Sequence, residues 1–138
     1  MKRSFHIFGK SVLIDVERVK NKRIEEIEKA LKDYEKGKRR DFSDFKVFIE
    51  DFPEKYAKVL KALREIKFGE TKTYSELGEK LGLHARVVAK ACSLNPLPII
   101  IPCHRVIGKR DIGGYSQGKE LKQLLLDFEK SERGLEDF

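Results

Sequence analysis

An apolar run, Leu97-Pro98-Ile99-Ile100-Ile101, sits between Pro96 and Pro102 and leads straight into Cys103-His104-Arg105. No other stretch restricts the fold as tightly. A run that is apolar on both faces has to be buried, and its bounding prolines read as the limits of a short strand. A strand ending in Cys-His-Arg would hold a thiol, an imidazole and a guanidinium on a rigid edge. Cationic neighbours favour thiolate over thiol, which makes Cys103 a candidate nucleophile. A free cysteine without context is more often a small buried side chain, so the assignment depends on the rest of the chain.

Charge is distributed unevenly. From Lys80 to Arg110 there is no Asp or Glu, but there are Lys80, Arg86, Lys90, Arg105, Lys109 and Arg110, with His84 and His104. A one-signed window beside a candidate nucleophile points to a polyanionic partner. By charge alone, a solvated basic face accounts for it equally well. The 138 residues, 40% of them apolar, suffice for one core or for one domain with a small appended unit. No segment approaches the ~18 apolar residues of a membrane span. The start also lacks the long apolar core of a signal peptide, so no membrane role is expected. Two cysteines, Cys92 and Cys103, cannot build a disulfide framework and fit a reducing, cytoplasmic setting. Lys and Glu dominate while Asn and Gln occur twice each, a bias typical of thermophilic proteins.

The pattern changes near residue 51. Before it, two alternating runs between Phe5 and Val19, split by Gly9-Lys10, predict a hairpin. Asn21 is a candidate cap for a helix in which Ile24, Ile27, Leu31 and Tyr34 follow helical spacing and which Gly37 ends. Residues 42–49 are apolar enough for another short strand. This first third carries no clustered chemistry. After it, Asp51 and Glu54 have capping-box spacing, Pro53 suits a first helical turn, and Tyr56, Val59, Leu60, Leu63 and Ile66 form one stripe. Thr73 with Glu76 is a second capping box, opening a helix with Leu77 and Leu81 inward that Gly82 stops. A further helix runs from about Ala85 to Leu94, until Asn95-Pro96 ends it. A Gly-rich loop from Gly108 to Gly118 precedes a last helix over residues 119–130, with Leu121, Leu124, Leu125 and Phe128 inward.

The fold class expected is α/β of the α+β kind. A small N-terminal hairpin-and-helix unit spans residues 1–50, and a mainly helical domain spans residues 51–138, with a helix-turn-helix at about 73–94. On the second helix of that pair, Arg86, Lys90 and Ser93 share a face beside the small Ala85 and Ala89. Such a face permits close approach to another surface, nucleic acid being a natural one. Ordinary helix packing over the alanines is the alternative.

The stretch Asn95-Pro96-Leu97-Pro98-Ile99-Ile100-Ile101-Pro102-Cys103-His104-Arg105-Val106-Ile107 resembles the signature of the O6-alkylguanine-DNA alkyltransferases. So do Gly114-Tyr115-Ser116 downstream and Phe68-Gly69-Glu70-Thr71-Lys72-Thr73-Tyr74 upstream. The resemblance covers about residues 51–130 in one order. It implies DNA repair in one irreversible step: Cys103 sulfur attacks the alkyl carbon on the 6-oxygen of guanine in double-stranded DNA and keeps the alkyl group. It implies that His104 acts as base through a water, oriented by Glu129. Tyr74 would assist the departing guanine, with Lys122 nearby. Asn95 would order the helix end and the site's hydrogen bonds. The base would be flipped out of the duplex, with Arg86 filling the gap and the helix entering the minor groove on Ala85 and Ala89. Lys90 would reach a phosphate, while Val106, Tyr115 and Ser116 would bind or close over the base.

No cofactor and no metal are expected. Some family members hold a structural zinc through N-terminal Cys and His, and here no Cys precedes residue 92. Adjacent Cys103 and His104 point awkwardly for one ion shared with His84 and Cys92. The chain is expected to act as a monomer. Cys92 stands where the family commonly has an apolar side chain against the guanine. Two rival readings stay open. A non-catalytic binding relative would carry another residue in place of Cys103. A cysteine hydrolase would draw its base from elsewhere, since neighbours on an extended chain point to opposite sides.

Overall fold

The chain opens with an antiparallel hairpin. β1 (Lys2–Ile7) and β2 (Lys10–Asp15) pair from Lys2 opposite Asp15 to Ile7 opposite Lys10. Phe5, Ile7, Val12 and Ile14 face the core and their neighbours face outward, as the alternation predicts. The computed structural model describes residues 1–136.

α1 (Ile24–Glu35) buries Ile27, Ala30, Leu31 and Tyr34. Its N-cap is Arg23, whose backbone N–H donates to the Glu26 carboxylate at 3.1 Å. Asn21, expected as the cap, has another role. Its side-chain amide donates to the Asp44 carbonyl and its side-chain oxygen accepts from Lys46 N–H, both at 2.8 Å. Two loop groups left without a ladder partner occupy both ends of the amide, where a helix would have used one. Beyond α1, Gly37 N–H donates to Tyr34 and Lys38 N–H to Asp33, which closes the helix with a Schellman turn. Residues 42–49 do not form the expected strand. Phe42, Phe45 and Ile49 are buried at spacings of three and four, a succession of turns, and only one bridge joins Val47 to Val19.

α2 (Glu54–Leu63) buries Ala57, Val59, Leu60 and Leu63. The capping box expected of Asp51 and Glu54 is absent and Pro53 is the N-cap. Asp51 instead takes both forks of the Arg18 guanidinium, at 2.7 and 2.9 Å. Two charge-assisted bonds outweigh the single bond a cap offers. β3 (Lys72–Thr73) leads into α3 (Tyr74–Leu81), where Thr73 and Glu76 form the predicted reciprocal box at 3.0 Å each way. Gly82, at φ 71°, turns the chain into α4 (Ala85–Leu94). The two helices meet closely at Gly78, where a Cβ would lie 2.5 Å from the Leu83 carbonyl oxygen. A side chain there would push the pair apart.

The run at 97–101 is buried as expected, but it is not a strand. Asn95 accepts from Leu97 N–H at 3.0 Å and donates to the Ile101 carbonyl at 2.8 Å. One amide thus draws both ends of the run onto itself and winds it into a loop, with Ile99 at φ 74°. The prolines remove the donors a ladder would need. Residues Cys103–Arg105 then form a single 3-10 turn. β4 (Val106–Ile107) pairs parallel with β3, Lys72 opposite Val106 and Thr73 opposite Ile107. This short pairing fixes the start of α3 beside the Cys103 turn.

α5 (Lys119–Glu136) runs past the expected end at Lys130 and buries Leu121 and Leu125. Leu124, expected inward, is 37% exposed. Lys122 and Glu129 take the inward places instead, both almost fully buried. Apolar residues from the hairpin to α5 join one cluster. No described helix is long and apolar enough to cross a membrane.

Candidate active site

Cys103 lines a pocket of about 330 Å³, within the range of small-ligand sites. α3 contributes Tyr74 to its wall, α4 contributes Ala89, Cys92 and Ser93, and the Gly-rich loop contributes Gly114, Tyr115 and Ser116. The pocket therefore opens against α4, whose outer side carries exposed Arg86, Ala89, Lys90 and Ser93, with Ala85 half-buried. The charges and the small residues predicted to share a face do share it. Val106 is the exception among the residues expected at the base. It is buried away from the pocket wall, and its carbonyl accepts from Lys122 Nζ at 2.7 Å.

Behind Cys103 lies a buried polar network centred on Glu129. Its Oε2 accepts from Tyr34 Oη at 2.6 Å and from Arg105 at 3.0 Å, and it meets His104 Nε2 at 2.7 Å. Its Oε1 accepts from Arg105 Nε at 2.8 Å and from Gly69 N–H at 3.1 Å. Burial opposes the charge on Glu129, but His104 and Arg105 outweigh it and hold the carboxyl well below the usual carboxylate range. An ionised Glu129 requires a proton on His104 Nε2, which leaves the lone pair on Nδ1. That nitrogen is buried and has no partner among the described residues. Burial also pushes the His104 imidazole below its ordinary value, against the pull of Glu129. His104 thus rests neutral, with its basic nitrogen unengaged.

Cys103 departs from expectation. Burial pushes its thiol up to about 11, despite the opposing effects of an Asn95 hydrogen bond and of Lys122. Burial prevails because His104 is neutral and the charged neighbour, Arg105, directs its N–H groups to Glu129 and to the Ile66 carbonyl rather than to sulfur. Cys103 is a buried thiol at rest and needs a base to become a nucleophile. Cys92, on the pocket wall formed by α4, is pushed up by burial as well.

Behind Tyr74 and the Gly-rich loop, Lys122 Nζ donates to the carbonyls of Val106 and Gly114, at 2.7 and 3.0 Å, and lies 3.4 Å from Tyr74 Oη. One ammonium thus ties β4, the Gly-rich loop and the Tyr74 phenol together. Burial, with the Cys92 and Cys103 sulfurs nearby, raises the Tyr74 phenol to about 12, so it stays a proton donor at neutral pH. Gly113 packs directly on that phenol. It sits at φ 74°, and a Cβ there would lie 2.6 Å from Tyr74 Oη. Gly113→Ala should therefore displace Tyr74 and the loop, and cost about 1–2 kcal/mol from the left-handed backbone alone. Urea unfolding would measure that loss, and an unchanged midpoint would show that the loop absorbs the methyl group freely.

Sequence reasoning assigned no site role to Tyr34, Gly69 or Gly113. Tyr34 reads as one more member of the α1 stripe. The available signal was chemical: a buried tyrosine hydroxyl has to find a partner. Gly69 and Gly113 contribute through backbone and space, which residue type alone does not reveal.

The chain belongs to the family described as 6-O-methylguanine DNA methyltransferase, DNA-binding domain, whose model matches residues 54–131. The resemblance read from the residues around Cys103 is thus borne out. The chain is 44% identical over 96 residues to the methylated-DNA--protein-cysteine methyltransferase of Methanocaldococcus vulcanius, covering 70% of this chain and 58% of that protein. It is 42% identical over 103 residues to the protein of the same name in Metallosphaera sedula, covering 75% and 65%. It therefore spans about three-fifths of the length of these curated relatives. The fold matches that of Mycobacterium tuberculosis OGT in complex with DNA, with TM-score 0.68 and 37% identity over 75% of this chain and 64% of that one. It also matches the O6-methylguanine-DNA methyltransferase of Pyrococcus kodakaraensis, with TM-score 0.61 and 37% identity over 64% and 54%. Tyr34 lies outside the segment that the family model matches.

Proposed function

We propose that this protein removes an alkyl group from the 6-oxygen of guanine in duplex DNA by transferring it irreversibly to Cys103. α3 and α4 act as a helix-turn-helix, with the outer face of α4 set against the DNA. The extrahelical guanine enters the pocket. The S–H proton of Cys103 passes through a water to His104 Nδ1, and Glu129 stabilises the imidazolium that forms. Sulfur then bonds to the alkyl carbon as the carbon–O6 bond breaks. Tyr74, backed by Lys122, donates a hydrogen bond to the guanine as negative charge develops on it. The product thioether cannot be hydrolysed, so each molecule acts once, as a monomer in a reducing compartment, with no cofactor.

One observation carries this reading. A buried thiol opens into a pocket whose outer wall is the small, cation-flanked face of α4, while the free nitrogen of an oriented neutral histidine lies behind it. A resting thiol suits a single-use protein, since a permanent thiolate would react with other electrophiles. Mass spectrometry after mixing with duplex DNA containing O6-methylguanine tests it. The expected result is one added methyl group, mapped to Cys103, with no turnover. Cys103→Ala should gain nothing yet still bind duplex, and Cys92→Ala should keep the transfer. Methyl gain at Cys92, or catalytic release of product, would overturn the mechanism.

A further inference from the structure

The largest departure from a self-contained C-terminal site is the hydroxyl that reaches Glu129 from the first third of the chain. Tyr34 is fully buried on α1, and its Oη lies 2.6 Å from the same carboxylate oxygen that faces His104. A buried tyrosine needs one partner, and many carbonyls would serve. This one meets the carboxylate that orients the base.

We propose that Tyr34 is a positioning residue of the transfer site: its hydroxyl fixes Oε2 of Glu129 and takes up part of its charge, so that His104 rests neutral with Nδ1 free. The role rests on the function proposed above and adds α1 to the machinery. The geometry carries it. Oε2 is shared by three groups, Tyr34, Arg105 and His104, at 2.6, 3.0 and 2.7 Å. Each donor on that oxygen competes with His104 for its charge. With less charge facing it, the imidazole has less reason to bind a second proton at rest. Packing holds the donor in place, since the Tyr34 ring stands against Phe42, Phe68 and Phe128 with centroids 6.2, 5.9 and 5.4 Å away. The other charged or titratable groups acting on the pair are Lys122, which disfavours the imidazolium, and Tyr115, which lies edge-on to His104 at 6.5 Å.

Tyr34→Phe removes the hydroxyl and keeps the ring. The first measurement is the imidazole titration of His104 by NMR in the free protein, which is independent of any alkyl transfer. Its midpoint should rise by about half a unit to one unit, the scale of a hydrogen bond lost from a charged group. Phe42→Leu perturbs the same packing but leaves the hydroxyl, and should not move the midpoint. The second measurement is the single-turnover methylation rate of Cys103 against pH. Its acid limb should move to higher pH by the same amount, so that Tyr34→Phe is slower along that limb and equals the parent on the plateau above it. An unchanged His104 midpoint, or an equal shift in Phe42→Leu, would overturn the proposal. A parent protein that gains no methyl group would instead overturn the function, while the titration would still decide the role of Tyr34. The unaltered protein provides a further check if Tyr34→Phe does not fold. The Tyr34 hydroxyl proton should appear downfield, exchange slowly and show a contact to the His104 ring, and its absence would overturn the proposal.

Discussion

Glu129→Ala is expected to cost the fold about 3–5 kcal/mol, the range for removing one member of a buried ion pair. Five hydrogen bonds end on this carboxylate, and Arg105, 4% exposed, would be left as an uncompensated buried cation. Against a total stability of roughly 5–15 kcal/mol, that loss brings the protein near its threshold. The parent should show the matching dependence on acid. The folded carboxyl is held well below its ordinary value of 4.5. Its contribution is therefore fully present above pH 4.5 and lost as pH falls through the folded value. His104 adds a loss that begins higher, below its ordinary value of 6.5, because the unfolded chain takes that proton more readily than the buried ring does. Urea unfolding at pH 7 and at steps down to about pH 2 checks both effects. Glu129→Ala should be less stable at pH 7 and should lack the part of the loss that the parent shows below pH 4.5. A variant as stable as the parent at pH 7 would mean that the network carries no structural weight.

Arg86→Ala should slow repair of duplex DNA by about 100-fold while leaving reaction with free O6-methylguanine base nearly unchanged. Flipping a base costs a few kcal/mol of lost stacking, and the free base has no stack to break. Arg86 is exposed at the first turn of α4, on the side that runs into the pocket. In the function proposed above, its guanidinium would fill the space that a flipped guanine leaves. A role confined to phosphate contact predicts a different pattern: weaker binding, a shallower salt dependence and full recovery at saturating DNA. Lys90→Ala should follow that second pattern. Single-turnover rates at saturating duplex, beside the same assay with free base, separate the two. Equal rates for Arg86→Ala and the parent on saturating duplex would remove the flipping role, and parallel loss on both substrates would point to damage at Cys103.

Much of this molecule is legible from its residues. Local signals wrote the α3 capping box, the Gly82 turn, the extent of α4 and the presence of the hairpin, because each depends on neighbours a few positions apart. The hairpin itself turns at Phe8-Gly9, and its second strand stops at Asp15 rather than running on to Val19. What failed depended on distant partners. Asn21 and Asp51 both looked like caps, and both were drawn away by loop groups or a guanidinium that only the fold brings near. Leu124 followed helical spacing, yet the inward face of α5 is shared with Lys122 and Glu129. The site followed the same rule. Cys103 was singled out by its surroundings, and His104, Tyr74 and Glu129 were proposed from the family resemblance, whereas Tyr34 was not, because nothing in α1 announces which buried group its hydroxyl will meet. The protonation of Cys103 was misread for the same reason: a cation beside a thiol in sequence was pointing elsewhere in space.

Ile99 holds a wider consequence. A β-branched residue at φ 74° is rare, and such a conformation costs on the order of 1–3 kcal/mol unless its surroundings enforce it. Here the surroundings are the two bonds of Asn95 and the bond from Ile101 N–H to the Leu97 carbonyl, which bend into a loop a run whose own composition prefers to extend. Local preference and global fold disagree over these residues, a case of frustration confined to the segment that ends in the nucleophile. Were the amide to let go, the run would be free to relax toward the extended form that its composition prefers. The turn that presents Cys103 would then lose its fixed start, while His104, the next residue, stays tied to Glu129 of α5. The reach of the sulfur is thus held by a tensioned piece of chain, and one side chain eight positions upstream keeps it taut.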